Sequence, residues 1–178
     1  MDYNGPERVF IRALEPEDAY AVWEMETDST QWIFNGMMAP FSLRNIKEYA
    51  LNYDPDPFRA GQIRFIAQKK ARTGNWSDDV VGLVDLYDIS AHDRTAWVGI
   101  YVRPCFRMQG YASEMLDAIE RYARDILNLR TVAAKVVDGN QSSRKLFETA
   151  RFDFRGVLKN WIEIGVRRMD LLFYQKNL

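Results

Sequence analysis

With 178 residues, 47% of them apolar and 28% charged, the chain fits one ordinary domain (residues 1–178) that can bury a core without disulfide or metal staples, which excludes disordered and fibrous classes. Its 24 Lys and Arg against 25 Asp and Glu leave a formal charge of -1, too weak a positive field for a reader of phosphate backbones, so nucleic acid is not an expected partner. The single cysteine, Cys105, no metal-spaced Cys/His cluster, a polar start holding Gly5 and Pro6, and no run of about 18 apolar residues predict a soluble, cytoplasmic protein with no metal, disulfide or membrane association.

The first strand is read at Val9–Ala13, where apolar and polar residues alternate, and Pro16 with Glu17 and Asp18 opens a helix carrying Ala19, Val22, Trp23 and Glu26. Ser42 is the N-cap of a second helix with Leu43, Ile46 and Ala50 inward, and the run Asp54, Pro55, Asp56, Pro57 ends it. Between these helices, Trp32, Phe34, Met37 and Met38 form an apolar stretch before Pro40.

Ile63–Gln68, Val80–Tyr87 and Thr95–Val102 are rich in β-branched and aromatic residues and are joined by polar connections, which predicts an antiparallel meander. A helix from about Gly110 follows, its apolar stripe made by Ala112, Met115, Leu116, Ile119, Tyr122, Ala123 and Ile126. Thr131–Val137 is a strand, Asn140–Ala150 a helix, and Phe152–Trp161 with Val166–Tyr174 a strand pair turning near Gly165. The strand from Thr95, the helix from Gly110 and the strand from Thr131 make a βαβ unit with parallel outer strands.

The segment RPCFRMQGYA, Arg103 to Ala112, joins that strand to the long helix, with Pro104 ending the strand and Gly110 where the helix begins. The first turn of a helix leaves amide groups unpaired and carries partial positive charge, so with Arg107 this segment can cradle a phosphate. A glycine opening a helix after a strand also serves ordinary βαβ packing, and from residues alone the two readings stand even. His92, in a polar turn beside Asp93, reads as an exposed residue, and Cys105 as a small loop or packing residue.

Arg107, Gly110 and Ala112 resemble the pyrophosphate-binding motif of the GNAT family of N-acetyltransferases, in which Arg or Gln is followed after two residues by Gly and then by Gly or Ala. Asn140 with Leu146, Phe147 and Phe152 is similar to that family's later segment. GLVDLYDI at Gly82 to Ile89 and YVRPCFRMQGYASEML from Tyr101 resemble the branch holding spermidine and ribosomal-protein amino-terminal acetyltransferases.

The resemblance implies an α/β (α+β) fold: a mixed, mostly antiparallel sheet of about seven strands, splayed at the cofactor site, with about four helices on its faces. It implies acetyl-CoA as donor, its pantetheine hydrogen-bonded to the backbone of Ile100 and Val102 beside Tyr101, and its pyrophosphate wrapped by Arg107, Met108, Gln109, Gly110, Tyr111, Ala112 and Ser113. Asn140 would bind the pantetheine arm, with Phe147 close by. Phe147 stands where many members place a tyrosine general acid, which leaves Ser143, Tyr101, Tyr111 or water to protonate the thiolate. Asp85 is the expected base or amine-orienting acid, with an exposed strand acid as its alternative reading, and Trp32, Phe34, Met37 and Met38 would wall the amine pocket, with ordinary core packing as their alternative reading. The acceptor is expected to be a small-molecule primary amine or a protein amino terminus, and a homodimer through the terminal strands is expected. The alternative is a CoA-binding sensor or scaffold with little catalysis.

Overall fold

A computed structural model describes residues 8–35, 39–70 and 79–178, and each segment read as a strand is one within it. Strands β1 (Val9–Ala13), β2 (Gln62–Lys69), β3 (Val80–Ser90), β4 (Thr95–Val102), β5 (Thr131–Val137), β6 (Asp153–Ile164) and β7 (Arg167–Asn177) form one seven-stranded sheet in the order β1-β2-β3-β4-β5-β7-β6. All neighbours are antiparallel except β4 and β5, the ends of the βαβ unit.

The period-two alternation of the strands divides the core in two. On one face α5 (Tyr111–Asp125) buries Met115, Leu116, Ile119 and Ala123 against Phe65, Leu86, Val98 and Val132, together with Phe147 of α6 (Gln141–Thr149). On the other face α1 (Ala19–Glu26) and α3 (Leu43–Leu51) bury Val22, Met25, Ile46 and Ala50 against Ile66, Val80 and Leu83. Ser42 caps α3 as expected: its Oγ accepts from the Asn45 amide at 3.1 Å, and Asn45 Oδ1 accepts from the Ser42 amide at 3.3 Å.

Two further helices exceed the four expected, α2 (Trp32–Asn35) and α4 (Pro57–Ala60), each four residues long. The Asp–Pro run read as a plain break starts α4, because Asp56 Oδ1 accepts from the Phe58 and Arg59 amides and Pro57 supplies a first-turn φ. Ile126, placed on the α5 stripe, lies beyond the helix as its C-cap and is 45% exposed. Val166, read as the start of the last strand, sits in the turn, and β7 runs on to Asn177.

The parallel pairing of β4 and β5 is short. It joins Thr95 to Thr131, Ala96 to Val132 and Trp97 to Ala133, and then stops. β3 stays paired with β4 as far as Val102, and β7 with β5 as far as Val137, so the two strands diverge while each is held from its outer side. The sheet opens into a V whose arms are Val98–Val102 and Ala134–Val137.

At the mouth of the V, Gly82 lies opposite Val102, and a Cβ built on it would stand 1.9 Å from the Tyr101 carbonyl oxygen. Gly82→Ala must push β3 away from β4, and a loss of about 2 kcal/mol is expected by urea unfolding, the ordinary scale of overpacking. Gly156→Ala, where a Cβ meets nothing within 4 Å, should change stability by less than about 0.5 kcal/mol.

Behind the V, buried Glu120 accepts from Lys176 Nζ at 2.5 Å through Oε2, while its Oε1 has no partner among the described residues. Burial outweighs the lysine and raises this carboxyl above its ordinary value of 4.5. The folded state therefore holds the proton more tightly than the unfolded one, so this group makes stability fall as pH rises from 4.5 through the folded pKa. Urea midpoints of Glu120→Gln measured over that window should show a less negative slope than wild type.

Candidate active site

The loop after β4 turns at Pro104–Phe106 and then carries two left-handed residues, Met108 at φ 59° and Gly110 at φ 85°. Gly110 is the N-cap of α5, and its carbonyl takes the amides of Ser113 at 3.2 Å and Glu114 at 3.4 Å. Among the described residues no backbone–backbone hydrogen bond uses the amides of Met108, Gln109, Gly110, Tyr111 or Ala112. A series of amide donors at the start of a helix of fifteen residues fits an anionic phosphate group.

The side chains of this loop are less engaged. Met108 is 95% exposed, Ser113 is exposed, and Gln109 Nε2 donates to the Cys105 carbonyl at 2.9 Å. Tyr111 is buried, its ring edge-on to Phe106 at 5.9 Å. Arg8, absent from the sequence reading, packs over the Tyr111 ring at 5.0 Å and donates to Glu114 through Nε at 2.7 Å.

Arg107 is turned inward. Its Nε donates to the Val102 carbonyl at 2.9 Å, its guanidinium carbon stands 5.6 Å from the centre of the Tyr101 ring, and Nη2 reaches Asp28 Oδ2 at 3.5 Å. The Tyr101 hydroxyl donates to the same Asp28 oxygen at 2.8 Å, and Asp28 Oδ1 accepts the Thr30 amide at 3.1 Å. Burial works to raise the Asp28 carboxyl, but bonds from Thr30 and Tyr101 and the charge of Arg107 outweigh it and hold the group below its usual value. Burial, and then the Asp28 acceptor, push the Tyr101 phenol up, so it remains a donor.

Asp85 faces Gly99 across the β3–β4 pair, as a residue beside the V should, yet it is no solitary carboxylate. Its two oxygens accept from Arg64 Nε at 2.9 Å and Nη2 at 2.7 Å, while Arg64 Nη1 donates to Glu26 Oε1 at 2.6 Å. Both Asp85 oxygens are thus engaged by the one guanidinium. Next to it a cleft of about 520 Å³ is lined by Tyr49, Arg64, Asp85, Tyr87 and Asp88. Desolvation raises the Tyr49 and Tyr87 phenols to about 12, so both present neutral hydroxyls.

Ile100 and Val102 pack against the α5 core, and Tyr101 points to the opposite face. Asn140 caps α6, its Oδ1 accepting from the Ser143 amide at 3.1 Å, which leaves its NH₂ group to donate. Phe147 is 5% exposed and packs on Phe152 at 5.0 Å and Tyr174 at 6.4 Å. His92 is exposed in its turn, and Cys105 is exposed in the Pro104–Phe106 turn of the loop. Trp32 and Phe34 are half-buried near the start of α2, and Met37 and Met38 lie outside the described residues.

The acetyltransferase (GNAT) domain family matches residues 8–153. The chain belongs to this family and is an N-acetyltransferase. A relative, the uncharacterized N-acetyltransferase YokL of Bacillus subtilis strain 168, is 24% identical over 162 residues, covering 91% of this chain and 85% of YokL. The spermidine N-acetyltransferase of Vibrio cholerae, solved with CoA and spermine, superposes with a TM-score of 0.82 at 22% identity over 95% of both chains. RimL, a ribosomal L7/L12 amino-terminal acetyltransferase solved with CoA, superposes at 0.81 with 16% identity over 100% of this chain and 98% of its own. Both likenesses are of fold.

Glu26, Asp28 and Arg64 were missed by sequence reasoning, although one signal was present: Arg64 stands in a strand whose next four residues are all buried, and a charge there needs partners. Arg64→Met removes the cation shared by Glu26 and Asp85. A loss of about 3 kcal/mol is expected by urea unfolding, at the low end for a broken buried pair because 22% of the Arg64 side chain reaches solvent.

Proposed function

We propose that this N-acetyltransferase takes its acetyl group from acetyl-CoA and passes it to a primary amine that is cationic in solution. The observation that carries the proposal is the end of β4–β5 pairing at Trp97 and Ala133, on the same arm of the sheet that leads into the unpaired amides of Met108 to Ala112. The amides, with Arg107 and Ser113, would hold the pyrophosphate. The backbone of Ile100 and Val102 and the NH₂ group of Asn140 would hold the pantetheine amides as an added strand is held.

The cationic amine first gives one proton to water; the neutral nitrogen then bonds to the acetyl carbon, the carbon–sulfur bond breaks, the sulfur leaves with the bond's electron pair, and a second proton passes from nitrogen through water to the thiolate. A backbone amide of β4 beyond Trp97 would donate to the developing oxyanion. Asp85 would act by fixing Arg64 and the cleft floor beside Gly99, with water carrying the proton. A thiol of ordinary pKa about 8.5 is a leaving group that needs no strong acid, which suits a site with Phe147 where a tyrosine hydroxyl could stand.

The three carboxylates on the α1–α3 face favour a cationic acceptor, whether a small aliphatic amine or a protein amino terminus. The Vibrio cholerae neighbour holds spermine and RimL is named for a protein amino terminus, acceptors that share an ammonium group. A cytoplasmic location and a homodimer through the terminal strands complete the proposal. A CoA-binding module with little turnover is the second reading, favoured by Phe147.

Calorimetric titration with CoA tests the donor site: micromolar binding is expected for wild type and none for an Arg107→Glu, Gly110→Trp double variant that melts like wild type. Release of free thiol from acetyl-CoA in the presence of 1,4-diaminobutane or trialanine then separates an enzyme from a sensor. A folded wild type that binds no CoA would overturn the donor assignment.

A further inference from the structure

The guanidinium of Arg107 makes its contacts on the face of the sheet that carries α1 and α3, against the Val102 carbonyl, the Tyr101 ring and Asp28. Its grip on Asp28 is loose. The 3.5 Å separation exceeds a good charged hydrogen bond, whereas Arg64 holds Glu26 and Asp85 at 2.6–2.9 Å. Arg107 is also the more accessible of the two, with 37% of its side chain exposed against 22% for Arg64. One arginine is fixed in this face and the other is exchangeable.

We propose that Asp28 is the site that receives the acceptor's ammonium group, and that Arg107 covers it until a pyrophosphate draws the guanidinium away. The inference rests on the donor-site reading above. Three carboxylates, Glu26, Asp28 and Asp85, meet two guanidiniums here; if Arg107 leaves, only Asp28 loses its cation. Its other partners are neutral: the Tyr101 hydroxyl, the Thr30 hydroxyl at 2.5 Å and the Thr30 amide.

A carboxylate with 16% of its side chain exposed and only neutral donors around it attracts a replacement cation. A primary ammonium has the charge, and its three N–H donors suit Asp28 Oδ2. The Tyr101 ring, uncovered by the same movement, offers a cation a π-face. The exchange also releases the Val102 carbonyl, on the arm of the V proposed for pantetheine. Donor and acceptor would therefore help each other bind by equal factors, as linkage requires.

The test is calorimetry of the full chain with CoA, 1,4-diaminobutane and trialanine as probes, on wild type, Asp28→Asn, Arg107→Gln and the double variant. Asparagine keeps the turn bond to the Thr30 amide, and melting temperatures check the fold. CoA should bind Asp28→Asn several-fold more tightly than wild type, and the gain should vanish in the Arg107→Gln background. An amine should bind the CoA-saturated wild type roughly five- to fifty-fold more tightly than the protein alone, the ordinary scale of binding coupling, and Asp28→Asn should lose this dependence.

Coupling seen with the diamine alone or with trialanine alone supports the site and names its source of ammonium. If CoA binds wild type and Asp28→Asn equally while Arg107→Gln binds it weakly, the cover is refuted and the donor site stands. Equal amine affinity with and without CoA refutes the ammonium site. No CoA binding by folded wild type refutes the donor reading, and this inference with it.

Discussion

The structure turns on the divergence of β4 from β5 after Trp97 and Ala133. Adjacent parallel strands gain from continued hydrogen bonding, so an interrupted pair must be held apart from outside. β3 does this for β4, keeping register from Tyr87–Trp97 to Gly82–Val102, and β7 does it for β5 from Thr131 to Val137. The packing of α5 against β1, β3 and β4 fixes where the loop after Val102 arrives, at the mouth of the V. Backbone groups left without a strand partner and amides left without a helical partner thus meet in one region. A ligand with its own amides and phosphates would satisfy both sets.

Electrostatics divides the region into a fixed and an exchangeable half. Arg64 uses both edges of its guanidinium, bidentate on Asp85 and single on Glu26, so moving it would strand two carboxylates in a half-buried place. Arg107 gives one good bond to a carbonyl and one long contact to Asp28, both replaceable by bonds to phosphate or water. The difference comes from length of engagement and access to solvent, not from residue type. The same two properties make Asp28 the carboxylate of the three that can change partners.

The elements legible in the sequence were those written in local pattern. The α5 stripe, the β2–β3–β4 meander and the Ser42 cap all follow from spacing within a few residues, and the loop from Arg107 to Ala112 follows from a short motif in a strand–helix setting. The Asp28–Tyr101 bond spans 73 positions and the Arg64–Glu26 bond spans 38, and no local pattern announces either. Asp56 and Pro57 misled because the residues that break one helix are the ones that cap the next.

This contrast bears on what a shared fold can convey. The proposed donor half is made mainly of main chain: amides at a helix start, the edge of a strand, and a glycine at φ 85°. Main-chain groups survive nearly any change of side chain, so a backbone that superposes at a TM-score of 0.82 with 22% identity can carry this half intact. The acceptor half is made of side chains from distant segments, Glu26 at the end of α1 and Asp28 after it, Arg64 on β2, and Asp85 and Tyr101 on β3 and β4, and each can change while the backbone beneath it stays in place. Specificity for the amine therefore has to be argued from this chain's own charges rather than from the neighbours' substrates. Among them Glu26, Asp28 and Asp85 outnumber Arg64 and Arg107 by one before any ligand arrives.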